Sequence, residues 1–115
     1  MRLVLALIQP TKLKAVQEAL NRIGVERMTV CDALGFGQQR GLAAGAPPSG
    51  RPALLRKVAL EIAVNEDFLE KTVETITHVA RTTAHGAIGD GKIFVLPMEE
   101  VVRLSDTIRG PEAVS

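Results

Sequence analysis

The first strand constrains the fold because it has no polar face. Residues 2–9 are almost continuously apolar over one strand's length, and Pro10 ends the run. A strand with apolar residues on both faces needs cover on both sides. The run is too short to span a bilayer, which needs about 20 apolar residues, and it lacks the cleavage region of a signal peptide. We therefore predict a buried strand in a cytoplasmic protein.

The rest of the pattern predicts two helices and three further strands in a single domain spanning residues 1–115. The predicted elements are a strand at 2–9, a helix at 13–23, a strand at 27–34 closed by Gly35-Phe36-Gly37, a strand at 54–64, a helix from 66 to about 82 and a strand at 92–96. This β-α-β-β-α-β order is typical of an α+β, ferredoxin-like fold, in which both helices cover one face of an antiparallel sheet. The first and third strands are apolar on both faces, so we expect the second face to be covered in a homo-oligomer.

Two segments fall outside the periodic pattern. Residues 38–53 are rich in Gly, Ala, Pro, Ser and Gln, and loops of this length are usually functional or disordered. Residues 105–115 are polar, and we predict a mobile tail.

Composition excludes several functions. A net charge of +1 without Trp or Tyr argues against a large nucleic-acid interface, which needs a basic face and stacking rings. The lone Cys31 cannot form an internal disulfide, and no Cys or His residues stand at zinc spacing. Any phosphate recognition therefore concerns a small ligand.

The run Gly89-Asp90-Gly91-Lys92 is a candidate phosphate cradle at about residues 82–92. Glycines let backbone N–H groups approach an anion closely, and the lysine adds a charged donor. The alternative is an ordinary turn between two elements, and this short motif alone does not decide between them.

Further short blocks occur in order along nearly the whole chain. They are Pro10 with Lys12-Leu13, Met28-Thr29-Val30, Gly35-Phe36-Gly37, Gln39 with Gly41, Lys57-Val58, Glu61-Ile62, Ala80-Arg81-Thr82, residues 88–95, and Glu99-Glu100-Val101 with Arg103. Together with the glycine run, these blocks resemble the PII signalling proteins, which are trimeric sensors of nitrogen, carbon and energy status.

The resemblance implies a homotrimer that binds ATP, ADP or AMP in clefts between subunits. It also implies that the loop at about 38–53, called the T-loop in that family, docks onto an ammonium transporter or a nitrogen or carbon metabolic enzyme. No direct membrane insertion, nucleic-acid binding or enzymatic activity is expected, and no catalytic residues are assigned.

The resemblance also assigns roles to individual residues. The nucleotide-binding set is Thr29, Gly35, Gly37, Gln38, Glu61, Ala63, Ile88, Gly89, Asp90, Gly91, Lys92 and Arg103. Within it, Asp90 is expected to shape the turn, and Arg103 is expected to reach the phosphates of the neighbouring subunit's nucleotide. The 2-oxoglutarate set is Gln39, Arg40, Gly41 and Lys57, with Gln39 as the candidate ligand for Mg²⁺ beside ATP. The partner-contact set is Leu42, Arg51 and Leu54.

Several positions depart from the family pattern. The chain has no tyrosine, so uridylylation of a T-loop tyrosine is excluded. Gln38 and Ser105 stand where arginines are common, which removes two cationic donors and favours ADP or AMP binding comparable to that of ATP. About three extra residues surround His85, which we expect to be a solvated loop residue.

Three alternatives remain open at this point. The first is a divergent PII-like sensor of inorganic carbon or energy status, with a different effector and no 2-oxoglutarate response. The second is a nucleotide hydrolase. The third is a trimeric cation-tolerance protein of similar fold. A hydrolase would need a positioned base and metal-binding carboxylates, which the sequence does not cluster. The long loop and the glycine run argue against the third alternative.

Overall fold

The computed structural model describes residues 1–37 and 53–115. Its elements are β1 (Arg2–Ile8), a 3-10 turn (Pro10–Lys12), α1 (Leu13–Arg22), β2 (Thr29–Gly37), β3 (Ala53–Val64), α2 (Glu66–Ala80), β4 (Gly91–Pro97) and a short α3 (Pro111–Val114). No helix within the described ranges is long and apolar enough to cross a membrane.

The four strands form one sheet in the order β2-β3-β1-β4, and every neighbouring pair is antiparallel. Ile8 at the end of β1 lies opposite Val58 of β3 on one side and Gly91 of β4 on the other. Alternate residues of β1 and β3 are buried against α1 and α2, which pack against each other. The predicted α+β ferredoxin-like architecture is therefore confirmed.

The core lies between the helices and the central strands. Leucine, isoleucine and valine dominate it, so burial of aliphatic side chains is the main stabilising term. The buried cluster consists of Val4, Ala6, Ile8, Val16, Leu20, Val25, Val58, Leu60, Ile62, Val64, Ile76 and Ala80.

The other face of the sheet is mainly apolar at its centre and lacks a covering layer within the described part of the chain. Its central row pairs Leu3 with Ala63 and Leu96, and Leu5 with Glu61 and Phe94. Phe94 and Leu96 are each more than two-fifths exposed. Because residues opposite one another in a sheet point to the same face, these side chains form one surface, which we call the open face.

Strand β2 begins and ends later than its sequence predicts. Gly35, Phe36 and Gly37 continue the ladder with β3, opposite Leu55, Leu54 and Ala53, where a strand end was expected. The backbone N–H and C=O groups of the glycines pair as well as those of other residues, and the leucines of β3 extend the partner strand. Since α1 and α2 do not reach this far, Phe36 is 75% exposed and Leu54 is 62% exposed.

The C-terminal segment folds back on the domain. The N–H of Arg103 donates to the carbonyl of Ile108, and the Asn65 amide donates to the carbonyl of Pro111. The short strand expected at Val101-Val102 is reduced to one bridge between Val102 and Arg109. Ala113 of α3 is buried. The mobility of residues 105–115 stays a prediction, but the segment has internal hydrogen bonds that its composition did not indicate.

Candidate functional site

The loop between α2 and β4 is organised around the carboxylate of Asp90. Asp90 accepts hydrogen bonds from the Thr82 hydroxyl at 2.8 Å, the Thr82 N–H at 3.2 Å and the Ala87 N–H at 2.7 Å. Burial opposes the charge, but these bonds outweigh it and hold the pKa of Asp90 below its usual value. Its oxygens are thus committed to the loop, which agrees with the turn-shaping role expected for Asp90.

The glycines of the motif adopt conformations that L side chains rarely adopt. Gly89 has φ +98° and Gly91 has φ +122°. A Cβ at Gly91 would lie 1.8 Å from the carbonyl oxygen of Leu7 in the neighbouring strand. Position 91 therefore requires glycine for its dihedral angle and for its close approach to β1.

The loop is connected to the sheet through the carbonyl of Gly89. The Lys57 ammonium donates to this oxygen at 2.7 Å, and the Gln9 amide donates to it at 3.1 Å. Partial burial lowers the pKa of Lys57, and the negative charge of Asp90 partly offsets that effect. The bond brings a residue of the expected 2-oxoglutarate set into direct contact with the expected phosphate loop.

Strand β2 approaches the same place. A Cβ at Gly35 would lie 3.1 Å from Cγ of Lys57, so glycine at this position leaves room for the lysine stem. The structure thus brings together Gly35, Lys57 and Gly89, three predicted site residues that are far apart in sequence. Ile88 and Lys92 are exposed beside them, where a ligand can reach both.

The residues expected near the adenosine form a separate group. Thr29 lies opposite Glu61, and Ala63 follows two residues further along β3. From Lys57 to Ala63 the strand runs for about 20 Å, at roughly 3.3 Å per residue. Within one chain, this group is therefore not gathered around the phosphate loop.

Arg103 is also remote from the loop within one chain. It follows β4 beyond Pro97, whereas Gly91 begins that strand at its opposite end. Its guanidinium pairs with the Asp106 carboxylate, with an N···O distance of 2.7 Å. The hydrogen bonds from Arg103 lower the pKa of Asp106, and the same bonds raise the pKa of Arg103.

A cavity of about 600 Å³ lies beneath the loop, between α2 and the sheet. Its floor and walls are mainly aliphatic, and charged side chains stand at its loop side. Residues lining it include Ile8, Val73, Ile76, Ala80, Ile93, Arg81, His85, Ile88, Asp90 and Lys92. Lys92 and Ile88 thus border both this cavity and the loop surface.

Several predicted residues lie outside the described ranges. They are Gln38, Gln39, Arg40, Gly41, Leu42 and Arg51. Of the three expected partner contacts, only Leu54 is described, and it is largely exposed at the end of the β2-β3 hairpin. In residues 1–37 and 53–115, no group of three or more His, Cys, Asp or Glu side chains could hold a metal ion.

Sequence reasoning missed three residues of the site. Gln9 contacts the Gly89 carbonyl, Thr82 supports Asp90, and Asp106 pairs with Arg103. The Arg103-Asp106 pair has the i, i+3 spacing of opposite charges and was available as a local signal. Gln9 and Thr82 carry no such signal, because their partners are distant in sequence or belong to a loop of unknown shape.

The chain is similar to proteins of one known family along nearly its whole length. A family model described as nitrogen regulatory protein P-II matches residues 1–107. Nitrogen regulatory protein GlnK1 of Methanosarcina mazei is 44% identical over 115 residues, covering 99% of this chain and 97% of that protein. Nitrogen regulatory protein P-II of Azospirillum brasilense is 41% identical over 117 residues, covering 99% of this chain and all of that protein. The crystal structure of Arabidopsis thaliana PII bound to citrate matches with a TM-score of 0.78 at 36% identity, covering 98% of this chain and 88% of that chain.

Proposed function

Because this chain belongs to the nitrogen regulatory protein P-II family of signal transduction proteins, we propose that it binds adenine nucleotides between the subunits of a homotrimer. The bound nucleotide, with 2-oxoglutarate as a candidate co-effector, sets the state of the loop at about 38–53. That loop regulates a partner, either an ammonium transporter or an enzyme of nitrogen or carbon metabolism. The protein has no catalytic role in this proposal.

The observation that carries the nucleotide proposal is the contact of Lys57 with the Gly89 carbonyl. It holds the glycine loop against the sheet, while Asp90 is turned inward by its bonds to Thr82 and Ala87. The loop is thus held in shape by the chain's own hydrogen bonds, so less ordering entropy is lost on binding. Lys92 then supplies a positive charge beside a preorganised turn, as a phosphate site requires.

The open face supports the homotrimer. Leu3, Leu5 and Phe94 are neighbours on this face and form an apolar patch that a soluble monomer would leave in water. Association through this face would also allow residues that are remote within one chain to meet across subunits. Arg103 and the phosphate loop lie at opposite ends of β4, so the two can complete one site only if they come from different chains.

The 2-oxoglutarate proposal rests on the charge of Lys57 at the edge of the loop. A carboxylate that pairs with its ammonium would replace or share the Gly89 carbonyl and would therefore alter the loop's attachment. The related Arabidopsis PII was solved with citrate, another small polycarboxylate. This coupling gives a physical route by which one effector changes the binding of the other.

We further propose that ADP or AMP binds comparably to ATP. Gln38 and Ser105 replace two family arginines, and Arg103 is paired with Asp106. Each missing cationic donor weakens binding more as the number of phosphates rises. Tight ATP binding together with feeble ADP and AMP binding would contradict this preference.

Isothermal titration calorimetry with ATP, ADP and AMP tests the proposal, each with and without Mg²⁺ and 2-oxoglutarate. The variant Lys92→Gln should weaken the polyphosphate nucleotides about tenfold, since one charge-assisted contact is lost. Lys71→Gln removes the same charge from the exposed surface of α2 and should leave binding unchanged. Absence of nucleotide binding by the unmodified protein would overturn the function. A response to nucleotides without one to 2-oxoglutarate would favour the energy-sensor alternative.

A further inference from the structure

The guanidinium of Arg103 is held by its own chain at several points. Nε donates to both carboxylate oxygens of Asp106 at 3.0 and 3.1 Å, and the terminal nitrogen Nη2 donates to Asp106 Oδ2 at 2.7 Å. The other terminal nitrogen, Nη1, donates to the carbonyl of Ser115 at 2.9 Å. The side chain remains 29% exposed, so it is accessible but already engaged.

This arrangement uses the edge of the guanidinium that an arginine presents to a phosphate. Arginine has five N–H donors, and its bidentate contacts use two of them in parallel toward a pair of oxygens. Carboxylate and phosphate oxygens fit the same fork. Asp106 therefore occupies the position in which a phosphate would make its strongest contact with Arg103.

The Asp106 carboxylate is itself fixed in place. The Ile108 N–H donates to Asp106 Oδ1 at 3.2 Å. Backbone bonds from the Thr107 N–H to the Arg103 carbonyl and from the Arg103 N–H to the Ile108 carbonyl close the same turn. The turn thus has backbone support that does not depend on the carboxylate, so a variant at Asp106 is expected to fold.

We propose that Asp106 is a specificity-determining residue that competes with the phosphates of the bound nucleotide for Arg103. This inference rests on the proposed function, because it takes Arg103 as a phosphate contact. A phosphate group must displace the carboxylate to pair with the Nε edge, and it does so against the repulsion of a fixed negative charge. The cost rises with the charge of the ligand, so Asp106 reduces the advantage of a triphosphate over a monophosphate.

The test compares the full chain with Asp106→Asn, Arg103→Gln and the double variant, by calorimetry with ATP, ADP and AMP at one ionic strength. Asp106→Asn should tighten ATP binding about three- to tenfold, because a charge-assisted contact becomes available, and should change AMP binding less than about twofold. Arg103→Gln should weaken ATP binding, and Asp106→Asn should give less than about a twofold gain in that background. Glu112→Gln is the matched control, since it removes an equal charge from the same segment. Arg103 donates to the backbone carbonyl of Glu112 and not to its carboxylate.

The following results would each contradict the inference. Unchanged or weaker ATP binding by Asp106→Asn would overturn the inference, and weaker binding would mean that Asp106 orients Arg103 for the ligand. An equal gain from Glu112→Gln would show a general charge effect and would also overturn it. If Arg103→Gln binds ATP as the unmodified protein does, the inference fails while nucleotide binding stands. If no form of the protein binds a nucleotide, the proposed function and the inference fail together.

Discussion

The ammonium of Lys57 on β3 donates a 2.7 Å hydrogen bond to the carbonyl of Gly89, 32 residues later in the chain. This bond joins the central sheet to the loop that begins β4. A second donor, the Gln9 amide, reaches the same oxygen from the end of β1. The carbonyl therefore joins three parts of the chain, and a substitution at Gln9 or Lys57 should alter the stability of the loop.

Lys57→Gln should loosen the loop while leaving the fold intact. The shorter neutral side chain loses a charge-assisted bond but no longer buries a charge, so we expect a loss of less than about 1.5 kcal/mol in the free energy of unfolding. Hydrogen exchange should quicken at the amides of Gly86 and Asp90, both of which close turns in the loop. Lys14→Gln, at an exposed site of α1, is the control. Unchanged exchange in Lys57→Gln would show that the loop does not need the bond from Lys57 to keep its shape.

The lowered pKa of Lys57 determines how its contribution to stability changes with pH. Its pKa is lowered from 10.5, first by burial and despite the charge of Asp90. The folded state therefore disfavours the charged form, and this penalty is fully present below the folded pKa. As pH rises from the folded pKa toward 10.5, the penalty disappears and the contribution of Lys57 to stability improves. Side-chain NMR titration should place its midpoint below those of exposed lysines, and a midpoint at or above theirs would contradict the burial.

Asp90→Asn should destabilise the phosphate loop by about 1 kcal/mol, because the Thr82 and Ala87 N–H groups, which both donate to Oδ2, would then bond to a neutral oxygen instead of a charged one. The pKa of Asp90 is lowered in the folded protein, so its stabilising contribution is present above the unfolded value near 3.8 and is lost as pH falls through the folded pKa. Hydrogen exchange at Thr82 and Ala87 measures both effects. Glu74→Gln, an equal charge change on exposed α2, should leave these amides unaffected.

Gly91→Ala should be the most damaging single-methyl substitution among the described glycines. Its Cβ would meet the Leu7 carbonyl at 1.8 Å, so β1 and β4 must separate at that point, at a cost of about 3 kcal/mol or more. Gly24→Ala shares a positive φ, at +90°, but its Cβ would meet only Phe68 at an ordinary 3.6 Å. We expect it to cost about 1–2 kcal/mol. Chemical denaturation compares the two, and equal losses would show that the dihedral angle alone matters.

Leu5→Glu should disrupt the proposed trimer. Leu5 lies in the middle of the open face, between Glu61 and Phe94, and a second carboxylate beside Glu61 adds repulsion to the cost of burying a charge. Native mass spectrometry should show trimers for the unmodified protein and smaller species for the variant. Gln17→Glu places the same charge on the exposed side of α1 and should not change the assembly. A trimeric Leu5→Glu protein would place the interface elsewhere.

The sequence was sufficient for the fold and for part of the site. The two-sided apolar pattern of β1 and β3 predicted the open face. Burial of Thr72 in α2 was not predicted, because the bond from its hydroxyl to the Phe68 carbonyl leaves no apolar signal in the sequence. The continuation of β2 through Gly35-Phe36-Gly37 was not predicted, because glycine ordinarily weakens a strand and only the partner strand shows that pairing continues.

Within the site, motif reasoning found Lys57, Gly89 and Asp90 but did not reveal how they are connected. A side chain that donates to a backbone carbonyl leaves no pattern at the acceptor, since every residue carries that group. The pairing of Arg103 with Asp106 was also not predicted, although the two opposite charges stand at i, i+3 spacing. Spacing permits the contact, but only the turn closed by the bond from the Thr107 N–H to the Arg103 carbonyl places the carboxylate beside Nε.

Strand β4 is an edge strand, and it contains Ile93-Phe94-Val95-Leu96, a run with high propensity for aggregation. Lys92 precedes this run and Pro97 follows it, and a charge and a proline are residues that limit edge-to-edge pairing between molecules. We therefore expect Lys92 to limit aggregation in addition to its proposed contact with phosphate. The Lys92→Gln protein should become turbid sooner on heating, and its binding measurements belong at low protein concentration.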